Sequence, residues 1–255
     1  MKDQAEKLRR ISKKIISVAS GKGGVGKTTI AVNLAYGISQ TGRKTLLVDA
    51  DLTLANADLI LGITPKKHIG HYLEGNISLN ELIEKINDKL DFIAGSSGIV
   101  KLNQLTENQM KKIKNIFDEW DGNIIILDLP AGIGKNVINF SLISQAVIVV
   151  INPDPVSITD SYALSKVISK SGFQGKIFVV VNMVSNPREK DIAFFTFRNV
   201  CQKYLGITPE LLGSIPFDES VRESFRMQKL LINSFPKSKA SESIKKMIQE
   251  IISKI

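Results

Sequence analysis

Ten residues near the amino terminus hold the densest chemistry in the chain: Ser20-Gly21-Lys22-Gly23-Gly24-Val25-Gly26-Lys27-Thr28-Thr29. They satisfy the pattern G-x-x-x-x-G-K-[ST] and lie between a short β-branched run, IISVA, and an apolar run with helical spacing. That is the context a phosphate-binding loop requires. Glycines let the backbone approach phosphate oxygens with no Cβ in the way, and the free N–H groups and positive end of the following helix attract the anion. Gly21, Lys22, Gly23, Gly24, Val25, Gly26, Lys27, Thr28 and Thr29 are therefore expected to bind nucleotide. Lys27 would reach the β- and γ-phosphates, and the Thr28 hydroxyl would ligate Mg²⁺. Lys22 is additional, since the pattern asks for no lysine directly after its first glycine.

Carboxylates stand at the ends of two further apolar runs. TLLVD closes on Asp49, and Asp51 comes two residues later; acids at i and i+2 of an extended strand point the same way, toward a common Mg²⁺ and γ-phosphate. IIILD closes on Asp128 and continues as Leu129-Pro130-Ala131-Gly132-Ile133-Gly134. A buried strand that delivers one acid to the sheet edge is the Walker B arrangement, in which the carboxylate fixes Mg²⁺, partly through water. Pro130 favours a loop directly after Asp128. His68 and His71, the only histidines, stand at helical spacing with no acid or cysteine cluster beside them, so no metal site is expected there.

These residues must be held by a scaffold, and the hydrophobic pattern describes one. Apolar, β-branched runs at 15–19, 45–49, 90–95, 124–128, 146–152, 176–182 and 211–216 predict strands. Amphipathic or capped stretches at 28–40, 78–87, 106–119, 136–143, 157–171, 189–205 and 239–254 predict helices between them. The alternation implies an α/β fold: a three-layer, doubly wound, mostly parallel sheet of seven to eight strands. In such sheets ligands bind beyond the carboxyl ends of the strands, where the motifs above fall.

Composition excludes other classes. Of 255 residues, 43% are hydrophobic and 23% charged, which argues against a disordered chain. Cys201 is the single cysteine, so no internal disulfide or cysteine-held cluster forms within one chain. The charged start has no secretory pattern, and no apolar run reaches the 18 or so residues of a membrane span, so a cytoplasmic location is expected. The net charge of +9 sits entirely at the ends: residues 1–14 carry +4, and residues 226–255 carry +5. Basic ends on a neutral body suit an anionic surface, or simply aid solubility.

KGGVGKTT, with its extra lysine, resembles the deviant Walker A motif of the MinD/ParA ATPases. The segment from Asp49 to Asp58 is similar to that family's first switch, and Asp128-Leu-Pro-Ala-Gly to its second. The likeness covers nearly the whole chain from residue 15. It implies an ATP-dependent homodimer that hydrolyses ATP, with Mg²⁺, to ADP and phosphate. By the same resemblance, Lys22 and Asn56 face the partner's nucleotide, and Asp51 polarises the attacking water. Asn182 contacts adenine, and the loop containing Pro216 and Asp218 closes over the base. Nitrogenase-iron-protein and scaffold-type relatives need paired cysteines, which one Cys201 does not supply.

The ends point to one branch. Asp3-Gln4-Ala5-Glu6-Lys7-Leu8-Arg9 is similar to the amino-terminal element of the FlhG family, also called YlxH or FleN, which engages an FlhF-type GTPase and stimulates its hydrolysis. The resemblance gives Gln4 the stimulating role, with Leu8 and Arg9 in the same element, and implies control of flagellar number and placement, with flagellar switch proteins as further partners. Residues 1–14 are thus read as a partner-activating segment and 15–255 as the ATPase domain. An amide that orients water at a γ-phosphate is a workable activator in trans. The last helix sets Ile244, Met247, Ile248, Ile251, Ile252 and Ile255 on one face, a stripe that suits either core packing or peripheral membrane binding. Two alternatives stay open: a ParA-like DNA-partitioning module, which the amino-terminal element disfavours, and a MinD-type division-site regulator, which leaves that element unexplained.

Overall fold

The computed structural model describes residues 13–52, 55–96, 102 and 104–255. Uninterrupted Ile, Leu and Val runs can be buried only in a sheet covered on both faces, and they form one here. Its strands are β1 (Lys14–Ser20), β2 (Thr45–Asp49), β3 (Glu84–Asn87), β4 (Leu90–Ile93), β5 (Ile124–Ala131), β6 (Ala146–Ile151), β7 (Lys176–Val184) and β8 (Glu210–Pro216). The spatial order is β3-β4-β2-β5-β1-β6-β7-β8, with every pair parallel except β3 and β4.

The helices are α1 (Lys27–Ser39), α2 (Ala57–Leu61), α3 (Ile69–Glu74), α4 (Leu79–Leu82), α5 (Glu107–Glu119), α6 (Lys135–Leu142), α7 (Pro155–Lys170), α8 (Pro187–Leu205), α9 (Glu219–Arg226), α10 (Leu231–Ser234) and α11 (Lys239–Lys254). Side chains of α5, α6, α7 and α8 fill the core on one side of the sheet, and those of α1 and α11 fill it on the other. Starts are fixed by caps readable in the chain. The Thr106 hydroxyl accepts from the Gln109 N–H, and Asp154 and Asn186, each followed by proline, accept from the N–H groups of Ser157 and Glu189.

Several elements depart from the hydrophobic pattern. The helix expected at 78–87 stops at Leu82, and Glu84–Asn87 pairs with β4 as an antiparallel edge. The Asn87 carboxamide oxygen accepts from the N–H groups of both Lys89 and Leu90, and this local turn closes the hairpin before a helix can continue. The strand expected at 90–95 ends at Ile93. Pro130 does not end β5, which pairs with β1 as far as Ala131, so the expected loop begins later. Residue 13 belongs to the folded body: the Lys13 ammonium donates to the carbonyls of Phe117, Asp118 and Trp120 at the end of α5. The short helices α2, α3 and α10 are too brief to show periodicity, and α9 (Glu219–Arg226) is a helix that the sequence reading leaves out.

The apolar stripe of α11 faces its own domain. Ile244, Met247, Ile248 and Ile251 are buried, while Ile252 and Ile255 are half-buried. Two glycines allow the close approach: a Cβ on Gly213 of β8 would stand 2.5 Å from Met247 Cγ, and one on Gly37 of α1 would stand 2.1 Å from Ile248 Cδ1. Insertion of this stripe into a membrane would therefore require α11 to leave the sheet. Ile251→Ala should cost about 2–5 kcal/mol, seen as a lower urea midpoint with an unchanged slope.

Candidate nucleotide-binding site

β1 is the point at which the winding reverses: from it the chain moves to β2 on one side, and it later passes from β5 across β1 to β6 on the other. The loop after β1 therefore opens into the crevice where α/β sheets hold ligands. Gly24 and Gly26 take φ values of +76° and +87°, the left-handed region that side chains resist. Gly26 is the N-cap of α1, so the loop presents that helix's free N–H groups. The loop is braced from beneath: the Asn182 side-chain amide donates to the Val25 carbonyl at 2.7 Å, and the Ser20 hydroxyl to the Lys22 carbonyl at 2.9 Å. A Cβ on Gly21 would lie 2.1 Å from the Asp160 carbonyl carbon, so α7 backs directly onto the loop.

Beneath the loop lies a cluster of buried charge. Lys27 Nζ donates to Asp128 Oδ1 at 2.9 Å, and the Thr28 hydroxyl also bonds Asp128. Asp49 is the register partner of Asp128 on the neighbouring strand, and both acids are 1% exposed. Burial, then repulsion by Asp128, pushes the Asp49 carboxyl up to about 8. Burial likewise raises Asp128, against the pull of Lys27 and Thr28. Asp49 also organises the segment after β2: its Oδ1 accepts from the Asp51 N–H, and its Oδ2 from the N–H groups of Asn56 and Ala57 at the start of α2.

The remaining expected residues arrange themselves around this cluster. Asp51 is half-buried and close enough to Asp128 to raise it further. Lys22 is exposed and pairs with Asp154 at 3.5 Å, so the N-cap of α7 also receives the additional lysine. Val25 is buried; Gly23 and Gly24 are exposed, as is Ile133 in the turn after Gly132, whose φ is +92°. Thr29 lies in the first turn of α1. Asn182, expected at the base, commits its Nδ2 to the loop backbone. Asp218, expected in the same role, caps two helices: Oδ1 accepts from Ser220 N–H and Oδ2 from Ala240 N–H. Partial burial raises its carboxyl, but these two N–H groups outweigh it and hold the group below the usual range. Pro216 ends β8. Gln4, Leu8 and Arg9 lie outside the described residues.

The donor set suits Mg²⁺, because Thr28, Asp49, Asp51 and Asp128 offer only oxygen and converge below a loop that presents N–H groups to phosphate. Sequence reasoning misses Ser20 and Asp154. The motif makes no demand of Ser20, and only the proline after Asp154 marks it as a cap. His68 and His71 stack with ring centroids 3.6 Å apart at the start of α3. Among the described residues no three His, Cys, Asp or Glu side chains enclose a metal by themselves, so Mg²⁺ beside Asp49, Asp51 and Asp128 would need phosphate and water oxygens to complete its shell.

Known proteins resemble this chain over most of its length. A family model described as ParA, NUBPL iron-transfer P-loop NTPase, matches residues 11–252. The antiactivator FleN of Pseudomonas aeruginosa is 35% identical over 93% of this chain and 85% of its own length. The flagellum site-determining protein YlxH of Helicobacter pylori is 34% identical over 95% and 83%. Among solved structures, the septum site-determining protein MinD of Pyrococcus horikoshii, complexed with Mg-ADP, superposes with a TM-score of 0.79 at 27% identity, covering 94% of this chain and 96% of its own. No described helix is long and apolar enough to cross a membrane. Cys201 is buried in α8, and that burial pushes its thiol up to about 12.

Burial of Asp49 makes the stability of the nucleotide-free protein depend on pH. The ordinary carboxyl value, 3.8, stands for the unfolded chain, so the stabilising contribution is complete below that pH and is lost as pH rises through about 8. Nucleotide-free protein should therefore lose stability across that window, and Asp49→Asn should flatten the loss. Urea midpoints measured at several pH values give both slopes.

Proposed function

The chain belongs to the ParA/MinD family of P-loop NTPases, and from that premise we propose that it is an ATPase switch controlling flagellar number and placement. The observation that carries the ATPase reading is the convergence of Lys27, Thr28, Asp49 and Asp128 beneath an anion-binding loop at the sheet's switch point. ATP is held with its phosphates against the N–H groups of Gly24 to Thr28 and the Lys27 ammonium. Thr28, Asp49, Asp51 and Asp128 would hold Mg²⁺, which would supply charge neutralisation at the phosphate oxygens. Asp51 orients the attacking water, and Lys22 and Lys27 stabilise charge that develops on the γ-phosphate.

Binding and hydrolysis are read out as assembly. Lys22 leaves its exposed pairing with Asp154 to reach the nucleotide of a second copy, with Asn56 beside it, and hydrolysis releases the pair. An exposed pair of this kind is worth about 0–1 kcal/mol, a low barrier to that exchange. Asn182 and the loop of Pro216 and Asp218 line the base side while they brace the loop and the helix starts. Lys22→Ala should abolish ATP-dependent dimers in sedimentation velocity without lowering thermal stability; dimers that persist would remove the cross-subunit role.

The partner reading rests on the amino-terminal element and on the flagellar names of the relatives. Residues 1–14 engage an FlhF-type GTPase, with Gln4 directing water onto its γ-phosphate and Leu8 and Arg9 anchoring the element. Flagellar switch proteins are the further partners of the ATPase body, residues 15–255. GTP hydrolysis by an FlhF-type GTPase of the same organism should rise several-fold with the wild-type chain and not with Gln4→Ala. Equal stimulation by both would reject Gln4, and none by either would move the biology toward division-site placement or DNA partitioning.

A further inference from the structure

Two side chains expected at the base spend polar atoms elsewhere. Asn182 donates its Nδ2 to the Val25 carbonyl, and both Asp218 oxygens accept from helix starts. The residue after the first and the residue before the second, Met183 and Phe217, are instead open at the same end of the sheet, 38% and 51% exposed. Register makes them neighbours: Val184 pairs with Pro216, and the Phe217 N–H donates to the Val184 carbonyl.

The backbone at Met183 is held in an unfavourable shape. Asn182 pairs with Ile215 and Val184 with Pro216, so Met183 is the extra residue of a β-bulge, a device that re-aims a side chain at the end of a strand. Its φ of +59° lies in the left-handed region, which a residue with a side chain occupies only when its surroundings hold it there. That turn of the chain carries the thioether over the phosphate loop. Met183 Cε is 3.8 Å from where a Cβ on Gly26 would stand, and Asn152 Nδ2 donates to the Met183 sulfur at 3.7 Å.

Phe217 adds a ring on the β8 side. The Arg222 guanidinium of α9 lies 5.3 Å from its centre and steadies it, while half of the residue's surface stays open. A thioether and an aromatic ring present polarizable surface without a hydrogen-bond pattern, which suits the flat face of a purine.

We propose that Met183 and Phe217 form the apolar contact for the base of the bound nucleotide, while Asn182 and Asp218 brace the loop and the helix starts beside it. This role rests on the nucleotide-binding reading of the site and adds to it the two side chains that supply affinity for the purine ring. The strain at Met183 is then what keeps its thioether over the loop, ready to meet the base.

Calorimetric titration of the nucleotide-free chain with Mg-ADP and, separately, with Mg-pyrophosphate tests the pair, because pyrophosphate has no base. Met183→Gly can take the same φ without strain, and Phe217→Ala changes an exposed side chain, so both variants are expected to fold. Phe217→Ala should weaken Mg-ADP binding about ten-fold, and Met183→Gly about five-fold. Both should bind Mg-pyrophosphate as the wild type does, which also shows that the phosphate loop is intact. Equal losses for the two ligands would mean that the side chains act through the loop, and unchanged Mg-ADP affinity would mean that they do not meet the base; either result overturns the proposal. A wild-type chain that binds neither ligand would instead remove the nucleotide reading itself, and the base contact with it.

Discussion

A lysine buried against a carboxylate governs this molecule. Lys27 and Asp128 stand 2.9 Å apart with almost no exposure, and a second buried acid, Asp49, lies beside them on the next strand. One cation stands beside two carboxylates in a desolvated space, and burial, then repulsion by Asp128, pushes the Asp49 carboxyl up to about 8. Such a cluster is an unfavourable use of a core unless something else completes it. A divalent cation with a nucleotide supplies the missing positive charge on one side and phosphate oxygens for Lys27 on the other. On the proposed reading, the repulsion between the two buried acids and an affinity for Mg-ATP would have the same source.

The rest of the fold can be understood as the frame that keeps that cluster in place and reports on it. β2 and β5 must lie side by side in register for Asp49 and Asp128 to meet, and β1 must neighbour β5 for Lys27 to reach across. Helices on both faces seal these strands. Asp49 then ties the cluster to the segment after β2 through three backbone N–H groups, those of Asp51, Asn56 and Ala57, so a change at Asp49 is felt at the start of α2 without any intermediary. Asp154 plays the matching part outside the cluster, as helix cap and as the resting place of Lys22.

Much of this is legible in the chain because its signals are local. The loop glycines, Lys27 and the strand-ending acids announce themselves within a few residues. The features that escape are set by tertiary competition or by short range. The edge strand Glu84–Asn87 arises because β4 offers an open edge and Asn87 closes a turn, neither of which periodicity reports. The capping role of Asp218, whose two oxygens accept from helix starts far apart in the chain at Ser220 and Ala240, likewise goes beyond the base-side position that the sequence suggests for it. The stripe of α11 is ambiguous in the sequence for a physical reason: an apolar face at helical spacing suits a core or a membrane equally until Gly37 and Gly213 are seen to make room for it.

The central claim is that Lys27 holds Asp128 only until phosphate arrives. A crystal structure of the wild-type chain with Mg²⁺ and a non-hydrolysable ATP analogue tests it most directly. Lys27 Nζ should be found on phosphate oxygens, with a metal ion between the phosphates and the carboxylates of Asp49 and Asp128. A nucleotide bound while Lys27 remains on Asp128 and no metal sits beside the two acids would contradict the account.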